Sequence, residues 1–350
     1  TITVMRRGRR VATWENRGLS KADLARAMVG RDVVFSVDKP AACCGDVVFE
    51  ARDLSYADAG GRRRLDGVSF AVRRGEIVGI AGVEGNGQSE LVQLATGLTP
   101  VQWGQVRICG RDVTRAPVIE RRKLMCYVPQ DRKASGSAQK MSLADNAIMT
   151  HHCLNPRLES VWRALLSPGK CRRFAQGLVD TFGVLAPNVD TPISSLSGGN
   201  QQKVVVGREF LFDADFVLLD QPTRGVDVGS VEFIQREIIR KRGSAGTSAA
   251  DADANVGADG SASGGTVAAG AGCLLISADL DELFSLADRI LVMHRGRIVA
   301  DLAPSGTTRE EVGEYMLGVR ESQSERLPRV QAQAASASAS VAAGEGARAK

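Results

Sequence analysis

Gly82-Val83-Glu84-Gly85-Asn86-Gly87-Gln88-Ser89 is the stretch on which the fold of this chain turns. Its glycines stand at the spacing of a phosphate-cradling loop, a tight turn that runs into a helix and lets backbone amides approach an anion. Glutamine stands at position 88, where such loops carry the lysine that grips the β- and γ-phosphates. That substitution separates binding from catalysis. Backbone N–H groups and the positive end of a helix attract a polyphosphate with or without a lysine. Ser89, where the helix begins, suits a cap.

Further along, the apolar run Phe216-Val217-Leu218-Leu219-Asp220 ends in a single carboxylate. It reads as a fully buried parallel strand that delivers an acid to its carboxyl end, where α/β sheets bind ligands. Asp220 is thereby expected to hold Mg2+, directly or through water. Before it, Leu196-Ser197-Gly198-Gly199-Asn200-Gln201-Gln202-Lys203 forms a Ser-Gly-Gly turn that caps a helical stretch. Alternating strand and helix patterns from Gly45 to about Gly243 predict a doubly wound α/β sheet, and Cys273-Leu274-Leu275-Ile276-Ser277 predicts one more buried strand.

The 350 residues leave room for one large α/β domain plus extras, or two small domains. No apolar run is long enough to span a bilayer, so any membrane role is expected to be peripheral. The net charge of +5 comes partly from Arg62-Arg63-Arg64 and Arg121-Arg122-Lys123. These runs read as solvated faces, and with few aromatics interleaved they predict no nucleic-acid partner. Seven scattered cysteines point to free thiols in a reducing compartment. His151, His152 and His294 are the chain's histidines, and the adjacent pair reads as exposed rather than metal-binding.

Residues 3–12 and 20–30 echo residues 291–300 and 308–318 as a strand-turn-strand followed by a capped helix. Residues 1–40 are therefore expected to be the closing remnant of a preceding, related unit, in a truncated or partial chain. Residues 244–272 are almost wholly Gly, Ala, Ser, Thr and Asp and predict a disordered insertion. Residues 322–350, rich in Ala, Ser, Gln and Gly, predict a disordered tail.

In this order and spacing the motifs resemble the ATP-binding cassette of ABC transporters. The finer resemblance is to the second, degenerate cassette of tandem ATPase subunits for simple-sugar and nucleoside uptake. It is carried by residues 80–91, 197–203, 221–229 and 277–283. The resemblance implies an α/β P-loop NTPase fold with a mixed, mainly parallel sheet flanked by helices, an antiparallel β subdomain and a helical signature subdomain. The cassette would span residues 46–320, with the signature subdomain at about 135–205.

The resemblance also implies site roles. Gly82, Gly85, Asn86, Gly87, Gln88, Ser89 and Glu90 correspond to the phosphate loop, and Tyr56 to an aromatic that stacks on adenine, unless it is a half-exposed edge-strand tyrosine. Ser89, Gln130 and Asp220 correspond to the Mg2+ site, although an ordinary surface glutamine remains an alternative at 130. Ser197, Gly198, Gly199 and Asn200 match the signature that closes over a partner's nucleotide, and Asp227 matches the acid of the loop through which two cassettes sense each other. Gln221 replaces the glutamate that polarises water, and an amide accepts no proton at neutral pH. Ala278 replaces the histidine that contacts the γ-phosphate. ATP and Mg2+ are the implied cofactors. A second cassette packed head to tail, transmembrane permease subunits and, indirectly, a solute-binding protein are the implied partners, on the cytoplasmic side of a membrane. The alternatives are a soluble ABC ATPase outside transport and a nonfunctional gene fragment.

Overall fold

The computed structural model describes residues 1–6, 9–15, 17–18, 23, 24, 26, 27, 39–150, 152, 154, 155, 158, 166–243 and 270–320. The stretch 244–269 of the expected insertion, the expected tail, most of the helical pattern at 20–30, and His151 lie outside the described residues.

The strands are β1 (Ile2–Arg6), β2 (Arg9–Trp14), β3 (Val47–Ala57), β4 (Arg63–Arg73), β5 (Ile77–Ala81), β6 (Trp103–Ile108), β7 (Arg111–Asp112), β8 (Met125–Val128), β9 (Phe216–Asp220), β10 (Gly272–Ile276), β11 (Arg289–His294) and β12 (Arg297–Leu302). The central sheet has the order β12-β11-β5-β10-β9-β8 and is parallel except for β12. A separate antiparallel sheet has the order β4-β3-β6-β7.

Side chains on the central strands alternate between two cores, as a period of two requires. Ile77, Ala81, Val217, Leu219, Cys273 and Leu275 face one cluster, built with the helices Pro168–Phe182, Gly198–Phe210 and Val228–Gly243. Val78, Ile80, Phe216, Leu218, Leu274 and Ile276 face the other, which is closed by the antiparallel sheet and the helix Gln88–Thr96. A strand buried on both faces cannot alternate polar and apolar residues, so β5, β9 and β10 read as unbroken apolar runs.

The strand expected at 273–277 runs one residue earlier. Gly270, Ala271 and Gly272, expected within the insertion, belong to the core. A Cβ at Gly272 would lie 2.4 Å from Arg73 O, and one at Gly270 would lie 2.2 Å from Arg242 O. These glycines serve close packing, which composition alone cannot distinguish from disorder.

The echo between the two ends is exact in register. Val4, Met5 and Arg6 pair with Ala12, Arg10 and Arg9, just as Val292, Met293 and His294 pair with Ala300, Ile298 and Arg297, with the same irregularity after the valine.

The Arg121-Arg122 run is not a solvated face. Arg121 is 1% exposed and donates to the carbonyls of Leu94 (2.5 Å), Ala95 (3.0 Å), Ala116 (3.1 Å) and Thr114 (3.1 Å). It thus satisfies orphan carbonyls at the end of helix Gln88–Thr96 and opposes that end's negative dipole. Arg122 pairs with Glu209 at 2.6 Å, and the same buried carboxylate accepts from Arg208 Nε, Tyr127 N and Thr150 Oγ1. Glu209 therefore ties helix Gly198–Phe210 to the segment carrying Arg122 and β8.

Glu209→Ala strands two buried guanidinium groups and is expected to cost about 3 kcal/mol or more. Urea denaturation of the two proteins measures it, and a loss within experimental error would show that the network contributes nothing net.

Candidate functional site

The glycine-rich turn leaves β5 at its carboxyl end. Gly85 (φ 92°) and Gly87 (φ 108°) both lie in the left-handed region, which side-chain-bearing residues enter at a cost. No acceptor in the described protein takes the N–H groups of Gly85, Gly87, Gln88 or Ser89. They converge at a helix N-terminus, an arrangement that favours an anion. A Cβ at Gly85 would meet nothing within 4 Å, so the turn opens onto space.

Asn86 points elsewhere. Its amide donates to Met293 O (3.2 Å), its carbonyl oxygen accepts from Arg295 N (3.1 Å), and its backbone oxygen accepts from Gly296 N (2.9 Å). It fastens the loop to the β11–β12 hairpin. Gln88 folds back on the loop itself: its Nε2 donates to Val83 O at 3.3 Å and lies 2.1 Å from where a Cβ on Gly82 would stand. Only glycine at 82 leaves room for that amide.

The loop borders a cleft of about 450 Å3 into which β9 and β10 also end. Gly82, Gly85, Gln88, Ser89, Gln130, Asp220, Gln221 and Ala278 share it, so the structure brings these sequence-derived residues together. Asp220 is 8% exposed, and burial pushes its carboxyl up to about 6, against the opposing pull of Arg224 and a hydrogen bond from the Gln130 backbone. Gln221 holds φ 48°, a strained value for a non-glycine residue, with its N–H on Ile276 O at 2.8 Å. Ala278 presents no polar group.

Other expected residues lie apart from this cleft. Ser197 caps helix Gly198–Phe210, and Asn200 donates to Ser197 Oγ (2.9 Å) while accepting from Leu185 N (2.8 Å). Gly199 abuts the next helix: a Cβ there would stand 2.2 Å from Ser230 Oγ and 2.3 Å from Asp227 Oδ2. Asp227 accepts from Ser230 N (3.0 Å) and Oγ (2.9 Å), so the signature turn and Asp227 form a neighbouring patch, with Gly198 against Arg132. Tyr56 is half-buried on β3 against the second core, and Glu90 sits in the first turn of its helix, 3.9 Å from Arg64.

The cleft also contains Thr223, Asp279 and Glu282, to which the sequence assigned no role, and Arg224, expected only as part of the loop that ends in Asp227. Glu282 is buried, and burial raises its pKa; it accepts from Ser277 Oγ (2.6 Å) and Thr223 Oγ1 (2.8 Å). An acid in the otherwise apolar inner face of helix Leu280–Leu286 was the available signal. Among the described residues no helix is long and apolar enough to cross a membrane.

Residues 65–224 match the family model described as ABC transporter. The chain is 38% identical over 320 residues to the glucose import ATP-binding protein TsgD13 of Haloferax volcanii, covering 91% of this chain and 53% of that protein. It is 36% identical over 319 residues to the nucleoside import ATP-binding protein NupA of Lactococcus lactis, covering 91% and 57%. The chain thus spans little more than half the length of these relatives. Among solved structures it resembles an ATP-binding subunit of an ABC transporter (TM-score 0.56, 21% identity, 77% of this chain and 99% of that one) and a dimeric ABC transporter cassette (TM-score 0.57, 18% identity, 74% and 100%). At such identities the likeness shows the fold.

The raised pKa of Asp220 sets a testable sign. Its protonated form is favoured in the folded state, so the stabilisation is complete below the ordinary carboxylate value of 3.8 and is lost as pH rises through about 6. Asp220→Asn should therefore stabilise the metal-free protein more at about pH 8 than at about pH 4, by roughly 2 kcal/mol. Thermal denaturation of both proteins at the two pH values reads it. An equal effect at both would refute a buried, ionised Asp220.

Proposed function

We propose that this chain, which has the fold of an ABC-transporter cassette, binds Mg·ATP as one half of a two-cassette nucleotide sandwich that energises uptake of a sugar or nucleoside. The observation that carries the reading is the set of uncommitted N–H groups at Gly85, Gly87, Gln88 and Ser89, facing Asp220 across one cleft. That donor set fits a polyphosphate, and an exposed hydroxyl with one carboxylate and phosphate oxygens suits Mg2+, which is usually held by few protein ligands.

Bound Mg·ATP supplies the phosphoryl chemistry; this chain's residues bind and orient it. Ser89 and Asp220 hold the metal, with Gln130 beside them. Gln221 orients water through its amide but takes no proton, Gln88 brings no charge to the phosphates, and Ala278 leaves the γ-phosphate uncontacted. Three neutral side chains in one site describe a cleft that binds and turns over slowly or not at all. Tyr56 stacks on the adenine, which extends beyond the phosphate cleft.

The signature patch acts outward. Ser197, Gly198, Gly199 and Asn200, with Asp227 packed beside them, present a helix N-terminus to a nucleotide held by a second cassette. Closure of the pair then moves permease subunits at the cytoplasmic face of a membrane. The import role is drawn from the names of the relatives, which cover sugar and nucleoside import ATP-binding proteins. Residues 1–40 are read as the end of a preceding cassette, and residues 46–320 as the cassette itself.

Calorimetry with Mg·ATP compares the wild-type chain with Gly85→Asp, which puts a charge beside the phosphates at a left-handed position. Affinity should fall by at least about tenfold, ~1.4 kcal/mol. Unchanged affinity, or no heat from the folded wild-type protein, would end the proposal.

A further inference from the structure

The ionisable residues lining the cleft are Glu84, Asp220, Asp279, Glu282 and one cation, Arg224. A polyphosphate entering such a site meets more carboxylates than positive charge. Neither of the expected polar partners is present, since Gln88 is neutral and folded onto Val83 O and the side chain of Ala278 has no polar atom. Part of the acidic charge is already committed: Asp279 accepts from Asp281 N at 2.9 Å, and Glu282 is buried on two hydroxyl groups. Arg224 is not committed. Its side chain is exposed, and among the described residues its guanidinium makes no ion pair or hydrogen bond.

Its backbone, in contrast, is fixed. Arg224 N donates to Gln221 O (3.1 Å) and Arg224 O accepts from Arg132 Nη1 (3.0 Å). Gly225 follows in the left-handed region at φ 67°, which turns the chain away and leaves the arginine on the cleft wall. The phosphate loop rises from β5 and Arg224 from the end of β9, with only β10 between them. Two strand spacings are about 10 Å, so the loop and Arg224 border the same cleft at a separation that a polyphosphate and a long side chain together can bridge. A guanidinium there can grip two oxygens of one phosphate.

Resting on the nucleotide-binding reading above, we propose that Arg224 binds the terminal phosphate of the nucleotide in this chain's own cleft and supplies the positive charge that position 88 lacks. The influence of Arg224 on Asp220 agrees with its standing beside the metal and phosphate positions.

The test is calorimetric binding of Mg·ATP and Mg·ADP to the wild-type chain, Arg224→Ala, Arg224→Lys and the double variant Arg224→Ala with Gln88→Lys. Arg224→Ala should weaken Mg·ATP by more than about tenfold and Mg·ADP by less than about threefold, as loss of a charge-assisted contact to the last phosphate requires. Arg224→Lys should fall between, and the double variant should regain most of the Mg·ATP affinity because the charge returns from the loop. An Arg224→Ala protein that binds Mg·ATP as wild type does would overturn the proposal. Equal weakening of both nucleotides without rescue by Gln88→Lys would overturn it too, by showing that the residue merely shapes its loop. Wild-type protein that takes up neither nucleotide would instead sink the cassette reading, and this inference with it.

Discussion

Hydrogen bonding between β5, β10 and β9 fixes the whole site. Ile80 pairs with Ile276, and Ile276 with Asp220, so three buried strands reach one edge in step. The residues that follow each strand then emerge side by side: Gly82 and its loop from the first, Ser277 and Ala278 from the second, Gln221 and Arg224 from the third. A slip of one residue in any strand would turn its side chains into the wrong core and carry its end away from the others. The packing that stabilises the sheet and the placement of the phosphate-facing groups are therefore one constraint.

Backbone and side chains contribute to the cleft in different ways. Backbone amides do not depend on residue type beyond glycine's freedom at 85 and 87, whereas the side chains of Gln88, Gln221 and Ala278 bring no charge to the cleft. Burial raises the carboxyl of Asp220 to about 6, so the one acid that β9 delivers to the cleft is already set apart from an exposed carboxylate.

Features set by local pattern were legible in the sequence. The apolar runs at 77–81 and 216–220, the glycine loop and the cap at Ser197 all depend on neighbours within a few residues. Features set by contacts across the chain were not. Arg121 and Arg122 look like surface charge until the carbonyls of Leu94 and Ala95 and the carboxylate of Glu209 are brought to them. Gly270 and Gly272 look like linker until Arg73 and Arg242 are seen crowding them. Asn86 sits within the loop motif, yet its side chain serves the hairpin, because only the fold reveals which way it turns. Arg224 stood in the stretch 221–229; that it is the cation lining the cleft among the described residues became evident only once the lining residues were assembled.

The clasp at Asn86 reaches further than the hairpin. Met316, in the helix Arg309–Leu317, offers its carbonyl both to Asn86 Nδ2 (3.5 Å) and to the ring of His294 (3.0 Å). The last described helix is thus mechanically in line with the glycine-rich turn, like a lever resting on a latch. Tension or release at the end of the cassette would be felt by the loop without passing through the sheet.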